Sequence, residues 1–225
     1  MSNKLTVEQV IQKEHVWLMK NPKYCLYSGI IMIGKTEVRD DIPTACTNGR
    51  DTFYGREFMS KLSVKEVRAL ILHENLHKAF QHTFLWRHLY DQSPKVANMA
   101  CDYVINLIIK DIDKASDGFV TLPKQGLIDE RFRGMNAKQV FDILKQEREK
   151  EKGDGEGEGE GGEGFDDHDW ADAKNMTEEE KQQLAKEIDQ AIRQGQIAHQ
   201  KVAGKGAGGL DRALQELLEP KVNWR

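Results

Sequence analysis

The chain has 225 residues, 39% of them apolar, enough to bury one good core with a small appendage and too many for a mini-protein that needs staples. A formal net charge of -4 and the lack of any Lys/Arg-rich run argue against nucleic acid and acidic lipid as partners. Cys25, Cys46 and Cys101 are odd in number, far apart and without a CxxC, which argues against both a disulfide framework and a thiolate zinc site. Any metal here must therefore use nitrogen and oxygen ligands.

The N-terminus has no apolar stretch after its basic residue, and no run of about eighteen apolar residues occurs, so a cytoplasmic protein without a membrane partner is expected. Leu5-Thr6 with Gln9 and Val10 reads as a hydrophobic staple and capping box opening a helix that should stop at Asn21-Pro22. Residues 24–34, rich in Tyr and Ile and bounded by Pro22 and Gly34, predict a strand with a bulge at Ser28-Gly29. Residues 43–54 carry Asn48-Gly49 between β-prone residues and predict a hairpin.

The sharpest local signal is "LSVKEV", where Ser63 and Glu66 make a capping box and Leu62 and Val67 its staple, so a helix starts at Val64 and can run to about Trp86. Its stripe Val67, Leu70, Ile71, Phe80 and Phe84 is core packing. Ser93-Pro94 starts another helix, to about Asp111. Residues 115–134, with Gly118, Pro123, Gly126 and Gly134, form an ordered loop, and Asn136 with Gln139 caps a helix over 137–152. Alternating Gly and Glu over 153–164 make a flexible acidic tether. Beyond it come "FDDHDW", a helix capped by Thr177 and Glu180, a Gly-rich turn at 204–209 and the short helix "LDRALQELLEP". The whole reads as a mostly helical α+β fold: a core over 1–152, a linker over 153–164 and a helical C-terminal segment over 165–225.

Within the Val64 helix, "LHENLHKAF" holds an HExxH. Each helical residue turns about 100°, so His77 lies about 40° round from His73 and one turn along, and both imidazoles can reach one ion. Glu74 sits beside them, where it can touch a zinc-activated water and take its proton. A catalytic zinc needs a third protein ligand. His82 is close in sequence, but on a continuous helix it lies about 140° from His77 and faces elsewhere. Asp102 is the better candidate: it sits among Val96, Met99, Ala100, Val104, Ile105 and Ile108 on an apolar helix, where a buried carboxylate needs a cation or strong donors. Asn98, Asp102 and Asn106 form one polar stripe able to face the two histidines. His168, in the "DDHDW" cluster, is a candidate fourth ligand, transition-state donor or inhibitory plug; Tyr103 is a second candidate donor.

The ordered set "PTACTNGRDTFYGREF", "LILHENLHKAFQH", "NMACDYVIN", "LPKQGLIDERFRGMNAKQVF", "DDHDW" and "EPKVNWR" resembles the bacterial and phage zincin-like metallopeptidase domains that precede a von Willebrand A-like domain. Their N-x-A-x-D-x-x-I-N pattern corresponds to Asn98, Ala100, Asp102, Ile105 and Asn106. The resemblance implies a zincin architecture, a Zn2+ cofactor, and a peptide or protein substrate paired along a strand edge, here Thr44, Ala45, Cys46 and Thr47. It also implies an A-like domain or an ATPase as possible partners; no DxSxS motif of an A-like domain occurs in this chain.

Overall fold

A computed structural model of the chain describes residues 5–115, 118–153 and 176–203. The acidic tether beyond Gly153, the cluster holding His168, the turn at 204–209 and the "LDRALQELLEP" segment lie outside them. The chain opens with α1 (Val7–Lys20), where Thr6 and Gln9 form the expected reciprocal capping box. Arg68 ties this helix to the body: its guanidinium bonds Glu14, itself buried, at 2.6 Å and stacks on Trp17 at 3.5 Å.

Residues 24–34 are not a strand. They form a 3-10 turn (Cys25–Tyr27) running into α2 (Ser28–Ile31). A short apolar run cannot be assigned by periodicity alone, and here Tyr24, Leu26, Tyr27 and Ile30 are all buried in one core, which a half-exposed strand could not achieve. Three short strands follow: β1 (Thr36–Arg39), β2 (Ala45–Thr47) and β3 (Thr52–Gly55), in sheet order β1-β3-β2. β2 and β3 are the expected antiparallel hairpin, its tip turned by Gly49 at φ +94 and by Asn48, whose side chain accepts from the amides of Arg50 and Asp51. β1 pairs parallel to β3, with Thr36 opposite Thr52. Its charged, largely exposed sequence gives no alternating signal.

After α3 (Arg56–Lys61), α4 (Val64–Ala79) starts on the Ser63/Glu66 capping box. It ends well short of Trp86. Gln81 adopts a left-handed conformation (φ 52), and the chain continues as two single turns, α5 (His82–Leu85) and α6 (Arg87–Tyr90). α7 (Pro94–Ala115) is the long apolar helix, four residues longer than expected. The loop after it contains one 3-10 turn (Glu130–Phe132), and α8 (Ala137–Gly153) starts on the reciprocal Asn136/Gln139 bonds. α9 (Glu178–Ala203) starts on Thr177 and Glu180.

Two apolar clusters result among the described residues. The larger joins α1, α2, α4, the later part of α7 and α9, with Leu184, Ile188 and Ile192 of α9 buried in it. Two glycines let α9 approach: a β-carbon on Gly29 would lie 2.1 Å from the Ala191 carbonyl oxygen, and one on Gly195 would lie 2.0 Å from that of Leu26. The smaller cluster joins α6, α7 and α8 around Phe132, Val140 and Phe141. The architecture is a mostly helical α+β fold with one small sheet. Among the described residues no helix is long and apolar enough to cross a membrane.

Candidate metal centre

α4 and α7 pack against each other, and the contact lies where each helix carries polar groups on an otherwise apolar surface. His73 and His77 are one turn apart on α4, as the HExxH spacing requires. Asp102 comes from the middle of α7, flanked by Asn98 and Asn106 on the same stripe, all three buried. His73 Nε2 and His77 Nε2 are 3.1 Å apart, and Asp102 Oδ1 lies 3.4 Å from the second and 3.6 Å from the first. These three residues are a group that could hold a metal ion.

The donor separations test the fit. A tetrahedral ion with bonds of about 2.0–2.1 Å requires ligand atoms about 3.3 Å apart. The observed 3.1, 3.4 and 3.6 Å bracket that edge without rearrangement. The donor set, two imidazoles and a carboxylate, suits a divalent ion of borderline hardness such as zinc. Cys101, next to Asp102, is shut in by its surroundings, and burial pushes its thiol up, so it adds no thiolate.

Glu74 is wholly buried on α4 beside His73. One turn further, Lys78 is also buried and donates to the Ile33 carbonyl at 2.9 Å, fixing the end of α4 to the segment after α2. Burial pulls its ammonium down to about 8, opposed by the charges of Glu74 and Asp51. A cation one turn from Glu74 is thus part of its surroundings, a feature that an amphipathic reading of α4 does not reveal.

His82 stands elsewhere than a continuous helix would put it. The break at Gln81 swings it back onto α4, with its Nδ1 3.1 Å from Nδ1 of His77. A continuous helix would have turned His82 away from His77; the left-handed residue at Gln81 removes that separation. Its contact is with the outer nitrogen of His77, on the side away from the three donor atoms. Asn106 has the matching place behind His73, its Oδ1 2.9 Å from Nδ1 of that ring. Its position on the stripe with Asp102 was the only sequence signal for this.

Tyr103 turns its ring edge-on to Phe132 at a centroid distance of 4.9 Å, in the smaller cluster, where burial pushes its phenol up. His168 lies outside the described residues. Thr44, Ala45, Cys46 and Thr47 do fall at the margin of the sheet, since β2 is an outer strand. The bonds Gly55 N to Thr44 O and Asn48 N to Asp51 O fix the ladder, so the backbone groups of Ala45 and Thr47 point outward. Ala45 and Thr47 are at most 1% exposed, so a peptide pairing along this margin requires the side chains and chain that cover it to move aside. α4 packs against β2, which brings the margin close to the helix that carries the histidines.

A family model described as "Putative metallopeptidase domain" matches residues 25–225, from the turn before α2 through the chain's last residue. No curated protein and no solved structure matches the chain. Because that one model spans both helices of the centre and the great majority of the sequence, the chain belongs to this metallopeptidase-domain family.

Proposed function

We propose that the chain is a zinc-dependent endopeptidase in which His73, His77 and Asp102 hold the ion and Glu74 is the general base and later the proton donor. The observation that carries this reading is the triangle of donor atoms, 3.1, 3.4 and 3.6 Å on its sides, presented by two rigid helices. Three protein donors leave one tetrahedral corner, the arrangement of catalytic rather than structural zinc sites. When bound, the ion supplies Lewis acidity, which makes water a nucleophile near neutral pH and polarises a carbonyl. Glu74 takes one proton from the attacking water and returns it to the departing amine, so the peptide bond is exchanged for an acid and an amine with no net change at the carboxylate. The substrate would be an extended peptide lying along Thr44–Thr47, with His168 or Tyr103 as the further donor to its carbonyl. A cytoplasmic setting is part of the same proposal.

A second reading, a zinc-holding adaptor that binds a protein partner such as an A-like domain or an ATPase without turnover, draws on burial. His73, Glu74, His77 and Asp102 are each no more than 1% exposed. One experiment separates the two. Zinc-loaded wild type should cleave an unfolded protein substrate, and Glu74→Gln should lose about 10²–10⁴-fold in rate while keeping one equivalent of zinc. Equal cleavage by both removes Glu74 from the chemistry; stoichiometric zinc with no cleavage by wild type favours the adaptor.

A further inference from the structure

Both histidines of α4 have their outer nitrogens engaged. The Asn106 amide donates to the Leu127 carbonyl at 3.1 Å, which fixes its oxygen toward His73 Nδ1 at 2.9 Å. An amide oxygen only accepts, so His73 carries its proton on Nδ1 and its lone pair on Nε2, facing His77 and Asp102. His77 has a different neighbour. Its Nδ1 meets Nδ1 of His82 at 3.1 Å, with the rings at 83°. One proton serves that pair, and only one placement frees Nε2 of His77 for a cation: His77 donates and His82 accepts.

We propose that His82 is the positioning residue of the metal centre, its Nδ1 accepting from His77 and thereby fixing the ring orientation and tautomer that aim His77 Nε2 at the ion. The inference rests on the reading of His73, His77 and Asp102 as a zinc site. His82 is 2% exposed, so water does not compete for the bond. The backbone turn at Gln81 is what delivers it. A left-handed conformation is unfavourable for a non-glycine residue and persists only where its surroundings enforce it. His82 also lines a groove of about 640 Å³ with Trp86, Ile108, Phe132 and Met135.

The test is zinc affinity, measured on the full chain by competition with a chromophoric chelator, for wild type and for His82→Asn, His82→Gln and His82→Phe. Asparagine places an acceptor near the position of Nδ1, glutamine near that of Nε2, and phenylalanine places none. The asparagine variant should bind within about threefold of wild type, and the other two about 10- to 100-fold more weakly, with thermal melts of the metal-free proteins unchanged. Should His82→Phe fail to fold, the asparagine and glutamine pair carries the comparison. Equal affinity in all variants, or glutamine matching or exceeding asparagine, overturns the inference while leaving the zinc site standing. A wild-type chain that takes up no zinc overturns both.

Discussion

Replacing Asp102 by asparagine should move the metal-free and zinc-loaded proteins differently. The side chain keeps its shape but loses a negative charge held, with no solvent exposure, 3.4 and 3.6 Å from two imidazole nitrogens. Structural zinc sites bind with about 10–16 kcal/mol shared among four ligands, so one ligand accounts for about 3–4 kcal/mol. That corresponds to a loss of about 10²–10³ in zinc affinity. At a fixed free zinc concentration well above both dissociation constants, the zinc-linked gain in stability falls by the same 3–4 kcal/mol, a shift of roughly 10 °C for a chain of this size. The metal-free variant, relieved of a buried charge, should melt no lower than metal-free wild type. Calorimetry with and without zinc, alongside chelator competition, reads both quantities. Affinity within about threefold of wild type would remove Asp102 from the ligand set. A metal-free melting temperature lowered by a comparable amount would make the carboxylate a structural anchor instead.

Two further outcomes test the fold around the site. Burial, helped by the Lys78 charge, holds the His15 imidazole down to about 4 from its ordinary 6.5. Between those values the unfolded chain binds the proton and the folded chain does not, so this contribution is complete above pH 6.5 and is lost as pH falls toward 4. It amounts to about 2 kcal/mol by pH 5. Urea midpoints at pH 7 and pH 5 should therefore fall further for wild type than for His15→Gln, and equal falls would contradict the burial argument. Gly195→Ala puts a methyl group 2.0 Å from the Leu26 carbonyl oxygen, a backbone atom with little room to yield. Net destabilisation of about 1–2 kcal/mol is expected despite the better helix propensity of alanine; a stabilised variant would show that α9 does not dock as described.

What the sequence made legible was local or chemically expensive. The capping residues at Thr6, Ser63, Asn136 and Thr177 marked helix starts because their partners lie three residues away. Asp102 stood out because a carboxylate amid aliphatic residues has a cost that something must offset. The errors came where tertiary contacts decide. Residues 24–34 have the composition of a strand, but α9, far along the chain, buries them as helical turns. The end of α4 carries neither glycine nor proline; Gln81 takes the left-handed role without either signal. That one residue separated the expected place of His82 from the observed one. β1 escaped notice because a parallel pairing with β3 needs no local turn and its side chains are mostly solvated.

The docking of α9 also bears on the order in which the molecule can be completed during synthesis. Among the described residues, the groups of the candidate centre lie between residues 73 and 106, and the hairpin precedes them. The face formed by the turn before α2, by α2 itself and by part of α4 is packed by Leu184, Ile188, Ala191 and Ile192 of α9 as well as by α1. A nascent chain emerging from the ribosome therefore carries His73, His77 and Asp102 while the wall that α9 covers is still wet. Completion of this core during synthesis therefore waits for α9 to be made.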